Sequence, residues 1–368
     1  MATNWDDEER GAEVRQLRIG MMQLTMEPLE DILSHAEQLD RGGFDTIWLA
    51  EAYPWWRHHS MEARSSTAIS ALLGQRTKRL RVGWGIISPY TRHPIQVAME
   101  ARVSQEALGT DRLLLGFGAS KIFMKEAGIG SRSPARPLQT MRESVEIVRA
   151  VLGGEELDYH GAVFDAVVPA LKPDATSPRG AAPIYVAGTG PRLQEMAGEI
   201  ADGLLTPSIT TPEFVRRSRR RLEMGARAAG RDPDDVDLGC TIVASIDEDR
   251  EKGREGAREI AGMYLANKVE NIQASADELL ESAGLEREEI RPIAEAMRQG
   301  GRLAAAAAVS DAILDRTCPI AGTPQDCIQA IEEYADAGCT HVMLELWGER
   351  REAQLELFAS RVLPHFAR

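Results

Sequence analysis

Eight short apolar runs, separated by stretches with helical periodicity, constrain the fold of this chain more than any other feature. The runs are LRIGMMQL (17–24), DTIWLA (45–50), LRVGWGIIS (80–88), RLLLGFGA (112–119), PIYVAG (183–188), DGLLT (202–206), VDLGCTIVASI (236–246) and THVMLEL (340–346). Helical patterns lie between them at 29–43, 65–77, 94–109, 137–154, about 190–200, 212–229 and 323–338, and a last one closes the chain near 351–363. Gly42-Gly43 stops the first helix, Pro94 opens the third, and Thr323 and Gly338 bracket the helix before the final run. Strands that alternate with helices make a parallel sheet with helical cover, and eight such units predict an α/β fold of the (β/α)8 barrel type. A doubly wound sheet would want a Gly-rich turn after its first strand, and TMEPLE supplies none.

Two stretches depart from the alternation. Residues 120–180 hold one helix and then a Pro-rich excursion, and residues 247–318 are Ala-rich, charged and helical without a strand pattern. The second is read as a helical insertion before the last unit. Residues 1–15 are acidic and polar and read as a disordered tail, which leaves 16–368 as a single barrel domain.

At 368 residues and 43% hydrophobic content the chain can bury one large core. Its net charge of -14 argues against nucleic acid or an anionic membrane surface as a partner. It lacks the apolar run of about 18 residues that a spanning helix needs, and its N-terminus lacks the apolar region of a signal peptide. The four cysteines (Cys240, Cys318, Cys327, Cys339) show no CxxC or zinc spacing. They are expected to be buried thiols in a reducing cytoplasm.

A barrel of this kind places its site at the C-terminal ends of the strands. That selects Gln23, Glu51 to His59, Gly85 to Arg92, Gly118 to Phe123, Gly188 to Pro191, Thr206 to Ser208 and Glu345 to Trp347. Within YVAGTGPRLQEMAGEIADG a strand runs into Gly188-Thr189-Gly190-Pro191 and then a helix. Glycines there let an anion approach the backbone, and the helix N-terminus offers free N–H groups and the positive end of its dipole. No Walker lysine or GxGxxG accompanies it. Adjacent His58 and His59 point apart and have no clustered third ligand, so no metal is expected, and no GxSxG is present for serine hydrolysis. Arg92 and His93, just before Pro94, read as structural residues at a helix start.

RLRVGWGIISPYTRHPIQVA, DRLLLGFGAS, PIYVAGTGPRLQEMAGEIADGLL and the late IAGTPQDCIQAIEEYADAGCTHVML resemble the bacterial luciferase-like superfamily, over roughly 17–245 and 318–366. The cues GIISPYTRHP, GFGASKIFMKEAGI and AGEIADGLL resemble its coenzyme F420-dependent branch, above all the methylenetetrahydromethanopterin reductases. The resemblance implies a homodimeric barrel with the coenzyme ring at its mouth and hydride transfer at the deazaflavin C5 to or from a small-molecule substrate. It implies a non-prolyl cis peptide at Gly85-Ile86 behind the ring and the coenzyme phosphate near Ala187, Gly188, Thr189, Gly190 and Pro191. Glu51, Trp56 and Ser88 would contact the ring, and Gly118, Ala119, Ser120, Leu205 and Thr206 complete the coenzyme set. Gln23, Trp55 and Phe123 fall on the substrate side. Relatives carry a histidine where this chain has Ala52 and a carboxylate where it has Lys121. The proton donor is therefore open among His58, His59, Tyr53 and Lys121, or the enzyme needs none. Two alternatives stay beside F420: an FMN-dependent monooxygenase, which would need a partner flavin reductase, and a non-catalytic flavin-binding protein.

Overall fold

The computed structural model describes residues 17–51, 62–109, 111–119, 128, 136–171, 182–270 and 274–367. The barrel strands are β1 (Arg18–Leu24), β2 (Thr46–Ala50), β3 (Arg81–Ile87), β4 (Leu113–Gly118), β7 (Ile184–Ala187), β8 (Gly203–Thr206), β9 (Asp237–Ile246) and β11 (His341–Glu345). Each pairs in parallel with the next, and β11 pairs with β1, from Arg18↔His341 to Met21↔Leu344, so the sheet closes on itself. This is the eight-stranded barrel that the alternation of runs predicts.

The helices between strands are α1 (Leu29–Gly42), α2 (Ser66–Arg76), α3 (Pro94–Leu108), α4 (Pro137–Gly153), α5 (Pro191–Ile200) and α6 (Pro212–Ala228). Side chains start several of them where the sequence suggests. His93 caps α3 by accepting from Ile95 N at 3.2 Å, and Thr211 caps α6 by accepting from Phe214 N at 3.2 Å. A small antiparallel hairpin, β5 (Leu157–His160) with β6 (Asp165–Val168), stands apart from the barrel inside the Pro-rich excursion. No strand was expected there, because four-residue strands with mixed polarity leave too little pattern to read.

Between β9 and β10 (Ile320–Gly322) lie four helices: α7 (Arg250–Glu270), α8 (Ala274–Ser282), α9 (Arg287–Ala307) and α10 (Asp311–Arg316). They enclose a second apolar cluster around Ala257, Ile260, Leu265, Ile290 and Ile293, which reaches the barrel through Ile209 and Val243. Strand β10 extends the sheet along the upper half of β9, with Ile320 beside Ala244. Then α11 (Pro324–Asp336), opened by a Thr323/Asp326 capping box, leads to β11, and α12 (Arg351–Leu357) and α13 (Leu363–Phe366) end the chain.

The barrel interior is built around one indole. Trp48 is fully buried and packs with Leu114, Tyr185, Leu205 and Met343. Its ring meets the edge of Tyr185 at 5.1 Å. Glycines on the facing strands make room: a Cβ on Gly83 would fall 2.3 Å from the Trp48 ring, and one on Gly116 would fall 2.2 Å from the Trp84 carbonyl. Below this plug, at the N-terminal end, Arg18 pairs with the buried carboxylate of Asp237, which also accepts from Tyr185 Oη at 2.7 Å and from Thr340. Against the effect of burial, the neighbouring His341, Arg18 and Thr340 hold Asp237 well below the usual carboxylate range. His341 Nε2 lies 2.7 Å from Thr46 Oγ1 and accepts from Trp48 Nε1 at 3.4 Å. An indole N–H can only donate, so Nε2 carries no proton, and burial lowers the pKa of this ring.

Candidate active site

Three partly exposed members of the interior cluster, Met22, Ile86 and Ala187, mark the open end of the barrel. Ile86 reaches it because β3 is irregular. Its register to β4 shifts between Trp84 and Ile87, and the Gly85-Ile86 peptide is cis, as the resemblance implies. The Ile86 side chain covers Gly118, where a Cβ would sit 2.7 Å from it. Gly85, Ile86 and Gly118 thus form one wall at the ends of β3 and β4. Ala119 follows on β4 and packs at the margin of the core.

Next along the sheet, where Ala187 pairs with Gly118, Gly188 N donates to Leu205 O at 3.1 Å and ties the β7 loop to β8. Leu205 points inward, and Thr206 is buried with no hydrogen-bond partner for its hydroxyl among the described residues. Thr189 and Gly190 lead into α5, where Gly190 is the N-cap, no side chain caps the helix, and Pro191 begins it. Gly190 has an ordinary φ of -71°, and a Cβ added to it would meet nothing among the described residues within 4 Å. Neither backbone conformation nor protein packing requires glycine at this position. What it leaves is open space in front of a helix N-terminus, which suits a phosphate.

Glu51 ends β2 and is fully engaged. Its Oε2 accepts from Ser66 N and Ser66 Oγ, both at 2.8 Å, and its Oε1 accepts from Arg92 Nη1 at 2.8 Å. The carboxylate therefore sits at the N-terminus of α2, where the helix dipole favours it, and locks the loops after β2 and β3 together. Ser88 lies in that second loop, and its carbonyl accepts from Thr91 Oγ1 at 2.9 Å.

The period of two along β1 sends Met22 into the barrel and turns Gln23 toward α1, where its carboxamide meets His35 Nδ1 at 3.2 Å. Tyr53, Trp55, Trp56, His58, His59, Ser120, Lys121 and Phe123 lie outside the described residues.

Glu345, among the strand-end residues that the sequence selects, meets a tyrosine that the sequence does not point to. Glu345 ends β11 in register with Val243 and is fully buried, and it accepts hydrogen bonds from Ser208, after β8, and from Tyr264 on α7. Burial raises its pKa above the usual carboxylate value. Tyr264, whose ring is 6.0 Å from that of Trp347, is raised well above the usual phenol value for the same reason. The period of two along HVMLE places Glu345 on the face of Met343. Tyr264 left no such signal, since its helix belongs to no barrel unit.

A closed parallel barrel with a glycine-opened helix N-terminus at its mouth has the layout of a (β/α)8 enzyme with its site at the C-terminal face. The luciferase-like monooxygenase family model matches residues 14–341, and the chain belongs to that family. It is 28% identical over 353 residues to the 5,10-methylenetetrahydromethanopterin reductase of Methanolobus tindarius, across 94% of this chain and 100% of that one. It is 26% identical over 337 residues to the F420-dependent glucose-6-phosphate dehydrogenase of Amycolatopsis mediterranei, across 91% and 93%. The solved coenzyme F420-dependent tetrahydromethanopterin reductase of Methanopyrus kandleri superposes with a TM-score of 0.82 at 25% identity, over 95% of this chain and 99% of that one. These relatives are F420-dependent oxidoreductases or carry reductase names, and the chain is an oxidoreductase of their superfamily.

Proposed function

We propose that this protein is a coenzyme F420-dependent oxidoreductase that moves a hydride between C5 of the deazaflavin and a carbon of a small organic substrate. The observation that carries this reading is Gly190, which opens an uncapped helix N-terminus at the barrel mouth without any packing or conformational reason of its own. The relatives named for F420 favour that coenzyme over FMN. When bound, the deazaflavin supplies the two-electron hydride, and the rest falls to the chain.

Ala187 to Pro191 would hold the coenzyme phosphate. Gly85, Ile86 and Gly118 would form the wall behind its ring, and Met22 with Ile86 would keep water from that face. Leu205 and Thr206 would bound the far side. Glu51, anchored by Ser66 and Arg92, would hold the ends of β2 and β3 at a fixed separation beneath the ring. Ser88, on the loop that Arg92 tethers, would be kept within reach of it.

The test is stopped-flow absorbance of the protein loaded with reduced F420 and mixed with small carbonyl and imine compounds. Oxidation of the coenzyme on adding one of them supports the reading. F420 bound tightly but never turned over would make this a binding protein. Oxygen consumption with FMN and an added flavin reductase would make it a monooxygenase.

A further inference from the structure

Glu345 has the features of a proton store. It is sealed from solvent at the C-terminal end of β11, on the inward face of the barrel above Met343. Among the described residues no arginine, lysine or histidine forms an ion pair with it. Its partners are neutral donors: Ser208 Oγ on the loop after β8, Tyr264 Oη on α7 and the side chain of Trp347. The facing strand β9 presents Val243 beside it. The remaining titratable group on the same face of α7 is Lys268, one turn beyond Tyr264, whose ammonium burial pushes down to about 8. A carboxyl held by neutral donors can carry a proton or release it, and a hydroxyl can accept a proton on one side while giving one on the other. Tyr264 is the half-buried member of the group.

We propose that Glu345 holds the proton that accompanies hydride transfer and delivers it to the substrate through the Tyr264 hydroxyl. The inference rests on the oxidoreductase reading above, and it gives the substrate class as a polarised C=O or C=N bond. Reduction of such a bond puts a hydride on carbon and a proton on the heteroatom. The hydride and its two electrons come from the reduced deazaflavin, which is thereby oxidised. The Tyr264 O–H bond breaks as a new O–H or N–H bond forms on the substrate, and the Glu345 proton replaces it on the phenol oxygen. The carboxylate left behind accepts from both hydroxyls and is reprotonated from water after product leaves. In the oxidising direction each transfer runs backwards. Glu345 is thus a positioning residue that acts through Tyr264.

Four measurements test it. Infrared spectra of the coenzyme-free protein across pH should show a buried carboxyl C=O band that disappears as pH rises and is absent from Glu345→Gln. Deazaflavin binding, followed by fluorescence, should be unchanged in Glu345→Gln and Tyr264→Phe. In both variants kcat/KM for reduction should fall by about 10²–10⁴ and lose its high-pH decline, with the double variant no worse than either single one. Ser208→Ala removes a donor to the carboxylate, so it should move that decline to higher pH. If the variants lose activity but keep the wild-type pH profile, or no carboxyl band titrates, the proposal is wrong and Glu345 only fastens α7 to the barrel. Failure of the wild type to bind F420 would instead overturn the underlying oxidoreductase reading.

Discussion

Arg92 and Glu51 meet across the mouth of the barrel, with Arg92 Nη1 donating to Glu51 Oε1 at 2.8 Å while Ser66 occupies the other carboxylate oxygen. Arg92 also approaches Glu100, on the helix that follows its loop, at 3.4 Å. The two loops that would flank the coenzyme ring are therefore bound to each other through a pair with little solvent exposure. Removing either partner leaves a charge without its counterpart. Arg92→Ala is expected to cost about 3 kcal/mol in urea denaturation, at the lower end for buried pairs because Glu51 keeps its two bonds from Ser66. Glu51→Ala should cost more, since it also strips the N-terminus of α2 of its acceptor.

The interior plug makes a sharper prediction. A methyl group on Gly83 collides with the Trp48 ring, which is hemmed in on all sides and has no rotamer to escape to. Gly83→Ala should destabilise by about 1–3 kcal/mol or fail to fold in soluble form. A Gly83→Ala protein with wild-type thermal stability would show that the indole does not sit in the barrel as described.

Acid should weaken the floor of the barrel in two stages. His341 is neutral and its pKa is lowered in the folded state, as is that of His35. The unfolded chain takes up protons at these rings near pH 6.5 while the folded one does not, so stability falls as pH drops below about 6.5. Asp237 is held well below its ordinary value. Its contribution is complete above about pH 4 and is lost as pH falls further. Urea midpoints measured from pH 8 to pH 3 should decline in that order. In His341→Gln the first stage should shrink.

Gly190 separates coenzyme binding from folding. Its backbone is ordinary and its side-chain space is empty, so Gly190→Ala should leave the melting temperature within about 2 °C of wild type, as surface changes usually do. The added methyl would stand where a phosphate approaches the helix N-terminus, so affinity for F420 should fall by roughly tenfold, on the order of one lost hydrogen bond to a charged group. Equal affinity in wild type and variant would move the phosphate elsewhere.

The barrel was legible because strand and helix periods alternate eight times and little else satisfies that pattern. The helical segment before β10 was legible as helical from its alanines and charges. The hairpin at Leu157–Val168 was not, since its strands are too short to show a period. Within the site, Gly85, Ile86 and the Gly188 to Pro191 turn stood out because glycine and proline at a strand end have few uses. Glu345 was selected as a strand-end residue, but its partner Tyr264 was missed: their pairing joins residues 81 positions apart through an insertion whose docking no local pattern encodes.

The most direct test of the central claim is a pair of equilibrium titrations of the purified protein, one with coenzyme F420 and one with FMN, read by fluorescence at fixed ionic strength. Saturable F420 binding at micromolar concentration or below, weakened in Gly190→Ala, with no FMN binding in that range, is the predicted result. Saturable FMN binding with no response to F420 would contradict it.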